Sequence, residues 1–236
     1  MKLSAPIFLL KQKAKQVRRS QNLPLSKALD VIAREEGFQT WSHLAKASVD
    51  TTARDLFHQL APGDLLLLGA RPGQGKTLLS LQLLLEAIKA GYSGHFFTLE
   101  YHSGDVAEQL STLGQPPHLL EPNLIVDTSD DIAAAYVLER LQQANKPAFV
   151  VIDYLQLLDQ RRSNPPINQQ LESLKDFART CGAIILALSQ IDRSFDLSAE
   201  ELPDSTFVRQ PNQIDFNHFS KTCFLHNGKS RLNSSA

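Results

Sequence analysis

Cysteine is nearly absent from this chain. Two residues among 236, Cys181 and Cys223, cannot make the disulfide framework of a small secreted domain. They read as small buried residues in a reducing compartment, and the protein is expected to be cytoplasmic. Long apolar runs are missing too: nothing approaches the about 18 consecutive apolar residues of a membrane span. Ile7-Phe8-Leu9-Leu10 is too short for a secretion-signal core, and no small-residue cleavage site follows it. No membrane partner is expected. Internal repeats are absent, which excludes a solenoid. Aromatic residues make up only 7 % of the chain, so the core must be mainly aliphatic, and the 42 % apolar content is enough to build one. The first twenty residues contain no acidic side chain.

That last absence exposes an asymmetry hidden in the net charge of −1. Residues 1–50 hold nine Lys/Arg against four acids, which leaves the rest of the chain about six charges negative. Leu3, Ile7, Leu10, Ala14 and Val17 recur at helical spacing, so residues 3–20 are expected to form an amphipathic helix with a basic face. Leu23-Pro24-Leu25-Ser26 opens a second helix, with Ala28, Leu29, Ile32 and Ala33 as its buried stripe and Gly37 as its stop. Trp41–Ala47 adds a third, short helix. Ser-Val-Asp-Thr-Thr at 48–52 reads as a polar joint between a basic helical module (1–50) and a larger domain (53–236). The module has three readings: a helix that docks on a neighbouring copy, a DNA-binding element, or a surface for a protein partner.

From Pro62 onward apolar runs alternate with helical patterns. Strands are predicted at 65–68, 95–99, 124–126, 149–152, 184–188 and 222–225, and helices at 77–90, 103–113, 130–143 and 167–180. That alternation predicts an α/β fold with a mainly parallel sheet flanked by helices on both sides. Residues 195–217 are polar and are expected to form one or two long loops.

The chemistry-bearing segments sit at strand ends. Ala70-Arg71-Pro72-Gly73-Gln74-Gly75-Lys76-Thr77 lies between an apolar strand and a helix that begins near Leu78. It matches the phosphate-binding pattern G-x-x-x-x-G-K-T, except that Ala70 replaces the first glycine. Backbone N–H groups of the loop and helix start, residues 70–78 except Pro72, would converge on phosphate oxygens, Lys76 would reach the β- and γ-phosphates, and Thr77 would hold Mg²⁺. A surface loop of this kind should tolerate Lys76→Ala without loss of the fold. Phe149-Val150-Val151-Ile152-Asp153 is an apolar strand ending in an acid, with Asp153 a second candidate for Mg²⁺. Glu100, ending His95-Phe96-Phe97-Thr98-Leu99, could polarise an attacking water. Gln190, ending Ile184–Ser189, could sense the γ-phosphate.

These motifs come in a recognisable order. Residues 63–77, Phe97-Thr98-Leu99-Glu100, Ile152-Asp153-Tyr154-Leu155-Gln156-Leu157-Leu158 and Leu188-Ser189-Gln190-Ile191-Asp192-Arg193 resemble those of the RecA-like ATPase domain of replicative hexameric (DnaB-like) helicases, over roughly residues 53–226. The resemblance implies a P-loop NTPase fold, with Lys76 and Thr77 on phosphate and Mg²⁺, Glu100 as catalytic base, Asp153 as the metal-holding acid and Gln190 as sensor. It also implies ATP as cofactor, single-stranded DNA as partner and a homo-oligomeric ring or filament. The loop after Gln190 would face DNA, with Arg193 and Arg209 as its cations. The chain departs from the family in three respects. Its basic module stands where the family has a large collar. The channel loop carries Asp196, Glu200, Glu201 and Asp204. The chain stops soon after its last expected strand, so Lys229 or Arg231 would have to serve as the trans-acting finger. Two functions are therefore carried forward: a Mg²⁺-dependent ATPase of this helicase class acting on DNA, and a nucleotide-gated adaptor that recruits a partner. A protein kinase is a third class, but no acceptor motif supports it.

Overall fold

Strands β1 (Leu65–Ala70), β2 (Ser93–Thr98), β3 (Leu124–Asp127), β4 (Ala148–Asp153), β5 (Ile184–Gln190), β6 (Lys221–His226) and β7 (Lys229–Ser234) form one sheet in the order β3-β2-β4-β5-β1-β6-β7. The computed structural model describes residues 7–21, 23–113, 115, 122–142 and 146–234. The first six strands are parallel, and β7 runs antiparallel to β6. Alternation along each strand divides the interior in two. Leu65 and Leu67 of β1, Val150 and Ile152 of β4, and Ile185 and Ala187 of β5 pack with helices α6 (Ala134–Leu141) and α7 (Ile167–Cys181). Leu66, Leu68, Phe149, Val151, Leu186 and Leu188 pack with α4 (Lys76–Lys89) and α5 (Ser103–Thr112). The sheet is therefore apolar on both faces, as a parallel sheet covered by crossover helices requires.

All six predicted strands are present, each within two residues of its expected bounds. The seventh was not expected. Asn227 and Gly228 both have positive φ (50° and 75°) and close a tight β6–β7 hairpin. Two successive left-handed residues give a turn whose twist matches that of the strands it joins. The Asn-Gly pair is the sequence signal for this hairpin, so the chain does not stop at its last expected strand.

Helix α1 (Ile7–Gln21), α2 (Leu25–Glu35) and the first part of α3 (Trp41–Phe57) enclose a separate small core of Leu10, Ala14, Ile32, Ala33 and Leu44. Leu3 and the start of the expected first helix lie outside the described residues. Thr40 caps α3 by accepting the His43 N–H, and Asp30 accepts the Trp41 N–H at 3.0 Å. Helix α3 does not end at Ala47. It runs through the expected joint at 48–52 to Phe57, where Ala53 and Leu56 enter the core beneath α4. Ser-Val-Asp-Thr-Thr holds neither Gly nor Pro, and its modest propensities are too small a penalty to break a helix anchored at both ends. Helix α6 starts at Ala134 rather than Asp130, because Ser129 and Asp127 tie residues 127–131 into a turn and Gln170 of α7 receives the Ala134 N–H.

The long polar segment after β5 is pinned from within. It makes short 3₁₀ turns at Arg193–Leu197, Ser205–Phe207 and Phe216–His218, and buries Phe195, Val208, Ile214 and Phe219. Sparse apolar residues in a polar stretch gave no periodic signal for this.

Two sites in the core yield predictions. A Cβ on Gly69 would lie 2.8 Å from the Phe224 ring and 3.1 Å from Ile191 Cδ1. Gly69→Ala is expected to lower stability by about 1–3 kcal/mol through overpacking, read from the denaturant midpoint. His95 is buried, stacks on Phe97 at 6.4 Å, and leaves Nδ1 without a partner. Burial holds its pKa below the ordinary histidine range. The folded protein thus keeps the ring neutral while acid charges the unfolded chain first. Stability present above about pH 6.5 is lost as pH falls toward the folded value. His95→Phe keeps the stacking, and its melting temperature should fall less between about pH 7 and 5 than that of the parent.

Candidate nucleotide-binding site

The site forms where four neighbouring strands end on the same side of the sheet. In register, Thr98 of β2 lies beside Asp153 of β4, and Ala70 of β1 beside Gln190 of β5. Ligands of open α/β sheets bind at such carboxyl ends. The chain leaves β1, turns through Arg71–Gly75 and enters α4 at Lys76. Gly75 takes the N-cap position in the left-handed region (φ 87°, ψ 18°), a conformation costly for a residue with a Cβ. No side chain caps α4 and no acid lies in its first turn. Its leading N–H groups have no intrahelical acceptors and give that end a partial positive charge. An anion is the natural complement.

Three side chains meet directly. Lys76 Nζ donates to Asp153 Oδ1 at 2.9 Å, and Thr77 Oγ1 donates to Asp153 Oδ2 at 3.2 Å. Asp153 is fully buried and the Lys76 side chain is 11 % exposed. A carboxylate so deeply placed must be paired and hydrogen-bonded. Glu100 follows β2, with its N–H on Thr98 Oγ1 at 3.1 Å. Its residue surface is exposed at the rim, while its carboxyl is partly desolvated. Desolvation first, then the charge of Asp153, pushes the Glu100 pKa up, and Lys76 pulls it part of the way back. Glu100 therefore feels both members of the buried pair. Gln190 stands half-buried at the tip of β5, beside Ala70, and its carbonyl accepts the Arg209 N–H at 2.8 Å.

The donor set suits a hard cation brought by a phosphate. Asp153 and Thr77 offer two oxygens side by side, and Mg²⁺ is usually held by one or two protein oxygens plus substrate phosphates.

The other expected residues lie around this cluster. Arg193 and Arg209 are exposed on the segment after β5. Lys229 forms an ion pair with Glu201, and exposed Arg231 stands opposite Phe224 in the hairpin. Neither hairpin cation enters the Lys76–Asp153 cluster. Sequence reasoning did not anticipate the roles of Gln74, whose Oε1 accepts the Asn227 N–H at 2.8 Å, or Gln156, whose Nε2 donates to the Arg209 carbonyl at 2.7 Å. Gln156 stands in one of the helicase-like motifs, but its partner 53 residues away does not show in that motif.

The buried pair corrects one expectation. Lys76→Ala would strand the Asp153 carboxylate in the interior, so it is expected to cost about 3–5 kcal/mol of stability as well as any function. A Lys76→Met/Asp153→Asn double variant should recover much of that loss in a thermal melt.

Comparisons with known proteins agree with this geometry. The family described as DnaB-like helicase C terminal domain matches residues 113–218, a stretch that contains Asp153 and Gln190. The replicative DNA helicase DnaB of Leifsonia xyli subsp. xyli (strain CTCB07) is 25 % identical over 199 residues, covering 70 % of this chain and 43 % of that protein. The chain spans less than half the length of such curated relatives. Among solved structures, one described as an ATPase domain superposes with a TM-score of 0.60 at 19 % identity, over 71 % of this chain and 70 % of that one. A DnaB-like replicative helicase, from a study of its interactions with primase, gives 0.59 at 16 % identity, over 96 % and 74 %. Sheet order, motif order and relatives converge: the chain has a RecA-like fold and is similar, over residues 113–218, to the C-terminal domain of DnaB-like helicases.

Proposed function

We propose that this protein binds ATP with Mg²⁺ at the end of β1 and hydrolyses it, and that it acts on single-stranded DNA as a homo-oligomeric ring or filament in the cytoplasm. The observation that carries the reading is the convergence of Lys76, Thr77 and Asp153 at the bare N-terminus of α4. In this reading the loop of residues 70–78 cradles the phosphates with the N–H groups of Gly73, Gly75, Lys76, Thr77 and Leu78, and Lys76 orients the phosphates and offsets their charge. Asp153 and Thr77 hold the metal, which when bound would neutralise charge developing on the phosphates. Glu100 takes a proton from the attacking water. Its raised pKa brings it closer to neutral, where a general base works best. Gln190 contacts the terminal phosphate from the tip of β5.

Arg193 and Arg209 supply sequence-independent contacts to DNA phosphates. Arg231, exposed on the hairpin, is the better candidate for a residue reaching a neighbouring copy, since Lys229 is already held by Glu201. Residues 1–50 form the partner- or copy-binding module and residues 53–236 the ATPase unit. A second reading, the nucleotide-gated adaptor, is favoured by the exposed acids Glu200, Glu201 and Asp204, which oppose a grip on DNA.

Steady-state ATP hydrolysis with and without single-stranded DNA separates the two. The motor reading expects DNA to stimulate turnover; hydrolysis indifferent to DNA favours the adaptor. Glu100→Gln should retain nucleotide binding and lose about 10²–10⁴-fold in turnover. The parent's kcat/KM, which reports the nucleotide-free enzyme, should fall with acid over a pH range above that of an ordinary glutamate, because Glu100 must be ionised to accept the proton. A Glu100→Gln enzyme that turns over normally would assign the base elsewhere.

A further inference from the structure

Two side chains of the phosphate loop have no part in the chemistry proposed above, yet both are engaged at long range. Arg71 donates Nε and Nη2 to the two carboxylate oxygens of Asp196 at 3.1 and 2.8 Å, and Nη1 to the Ile191 carbonyl at 3.0 Å. A forked pair of this kind sets orientation as well as distance. Its guanidinium side is largely shielded, with Arg71 at 18 % exposure and Asp196 at 49 %. Gln74 is held by Asn227 in the β6–β7 turn. Between these tethers, a Cβ on Gly73 or Gly75 would meet nothing within 4 Å, so the loop backbone has room to shift. Pro72 fixes φ next to Arg71, so a shift of the backbone there carries the guanidinium with it.

Asp196 belongs to the 3₁₀ turn Arg193–Leu197. Asp192 caps that turn by accepting the Ser194 N–H at 2.9 Å. Phe195 anchors its centre, edge-on to Phe207 at 5.3 Å and His226 at 4.8 Å. A five-residue turn capped at its start and buried at its centre moves as one piece. Its outer side carries Arg193 and Leu197, and Leu197 is 91 % exposed, the most of any large apolar side chain among the described residues.

We propose that Arg71 is a positioning residue: through Asp196 it links the filling of the phosphate cradle to the placement of the turn Arg193–Leu197, and so to the presentation of Arg193 and Leu197 to the bound strand. This inference rests on the nucleotide-binding reading above. Phosphate draws the loop N–H groups inward, the guanidinium follows the backbone, and the forked bonds pass that displacement to the turn.

The test places an environment-sensitive thiol dye at position 197 through Leu197→Cys, in the full chain carrying Cys181→Ser. Cys223 is buried with its thiol pKa pushed up to about 12, so it does not compete for the dye. Affinity for a fluorescent ATP analogue with Mg²⁺ is measured in parallel by anisotropy. The expected result is a change in dye emission on adding a non-hydrolysable ATP analogue. Asp196→Asn should abolish that change while nucleotide affinity stays within about fivefold, since a half-exposed pair contributes little to binding by itself. Asp196→Glu, which keeps the charge, should restore it. A response that survives Asp196→Asn overturns the proposal, as does a chain that binds nucleotide with no response at position 197. A loss of nucleotide affinity in Asp196→Asn as large as the loss of response would make the pair a structural prop and also overturn it. If the labelled parent binds no nucleotide, the nucleotide-binding reading itself fails, and the parallel measurement tells that case apart.

Discussion

A carboxylate with no exposed surface at the end of a β-strand is a strong constraint on everything near it. Asp153 needs a cation and hydroxyl or amide donors within contact distance, and the first turn of α4 supplies Lys76 and Thr77. For that turn to arrive there, β1 must end level with β4 and the loop between β1 and α4 must double back sharply. Two left-handed glycines, Gly73 and Gly75, make the reversal possible. Between β1 and β4, β5 brings Gln190 to the same edge, and β2 on the far side of β4 brings Glu100. The architecture can be read outward from this one electrostatic requirement.

The rest of the fold keeps those strand tips level. Asp64, at the foot of β1, accepts from the Ala61 N–H, the Ser220 hydroxyl and the Lys221 ammonium, and so fixes β1 against β6 at the end remote from the site. Because the central strands are buried on both faces, their register is held by close packing: a one-residue slip would exchange the side chains that meet α6 and α7 for those that meet α4 and α5. Register and site geometry are thus set by the same packing.

Much of this is legible in the sequence, for specific reasons. Apolar runs ending in Asp153, Glu100 and Gln190 state both the strand and the position of the polar group at its tip, so the clustering of tips follows once the sheet is taken as parallel. The Asn227-Gly228 pair is legible as a turn, but the polar residues after it carry no apolar alternation, so the second arm of the hairpin stays hidden. Partnerships across great sequence distance cannot be read at all. Arg71 meets Asp196 across 125 positions and Gln74 meets Asn227 across 153, and neither residue type announces such a partner. The run of small polar residues at 48–52 misleads in the opposite way: composition suggests a joint, while packing at both ends of α3 decides for a helix.

That continuous helix bears on how the molecule can be dissected. Because α3 contributes Leu44 to one core and Ala53 and Leu56 to another, scission at 48–52 would leave two short half-helices, each keeping only one of the two anchors that hold the continuous helix. The natural place for a shortened chain to begin is ahead of Thr40, where the cap of α3 survives intact and the fragment inherits a complete first turn.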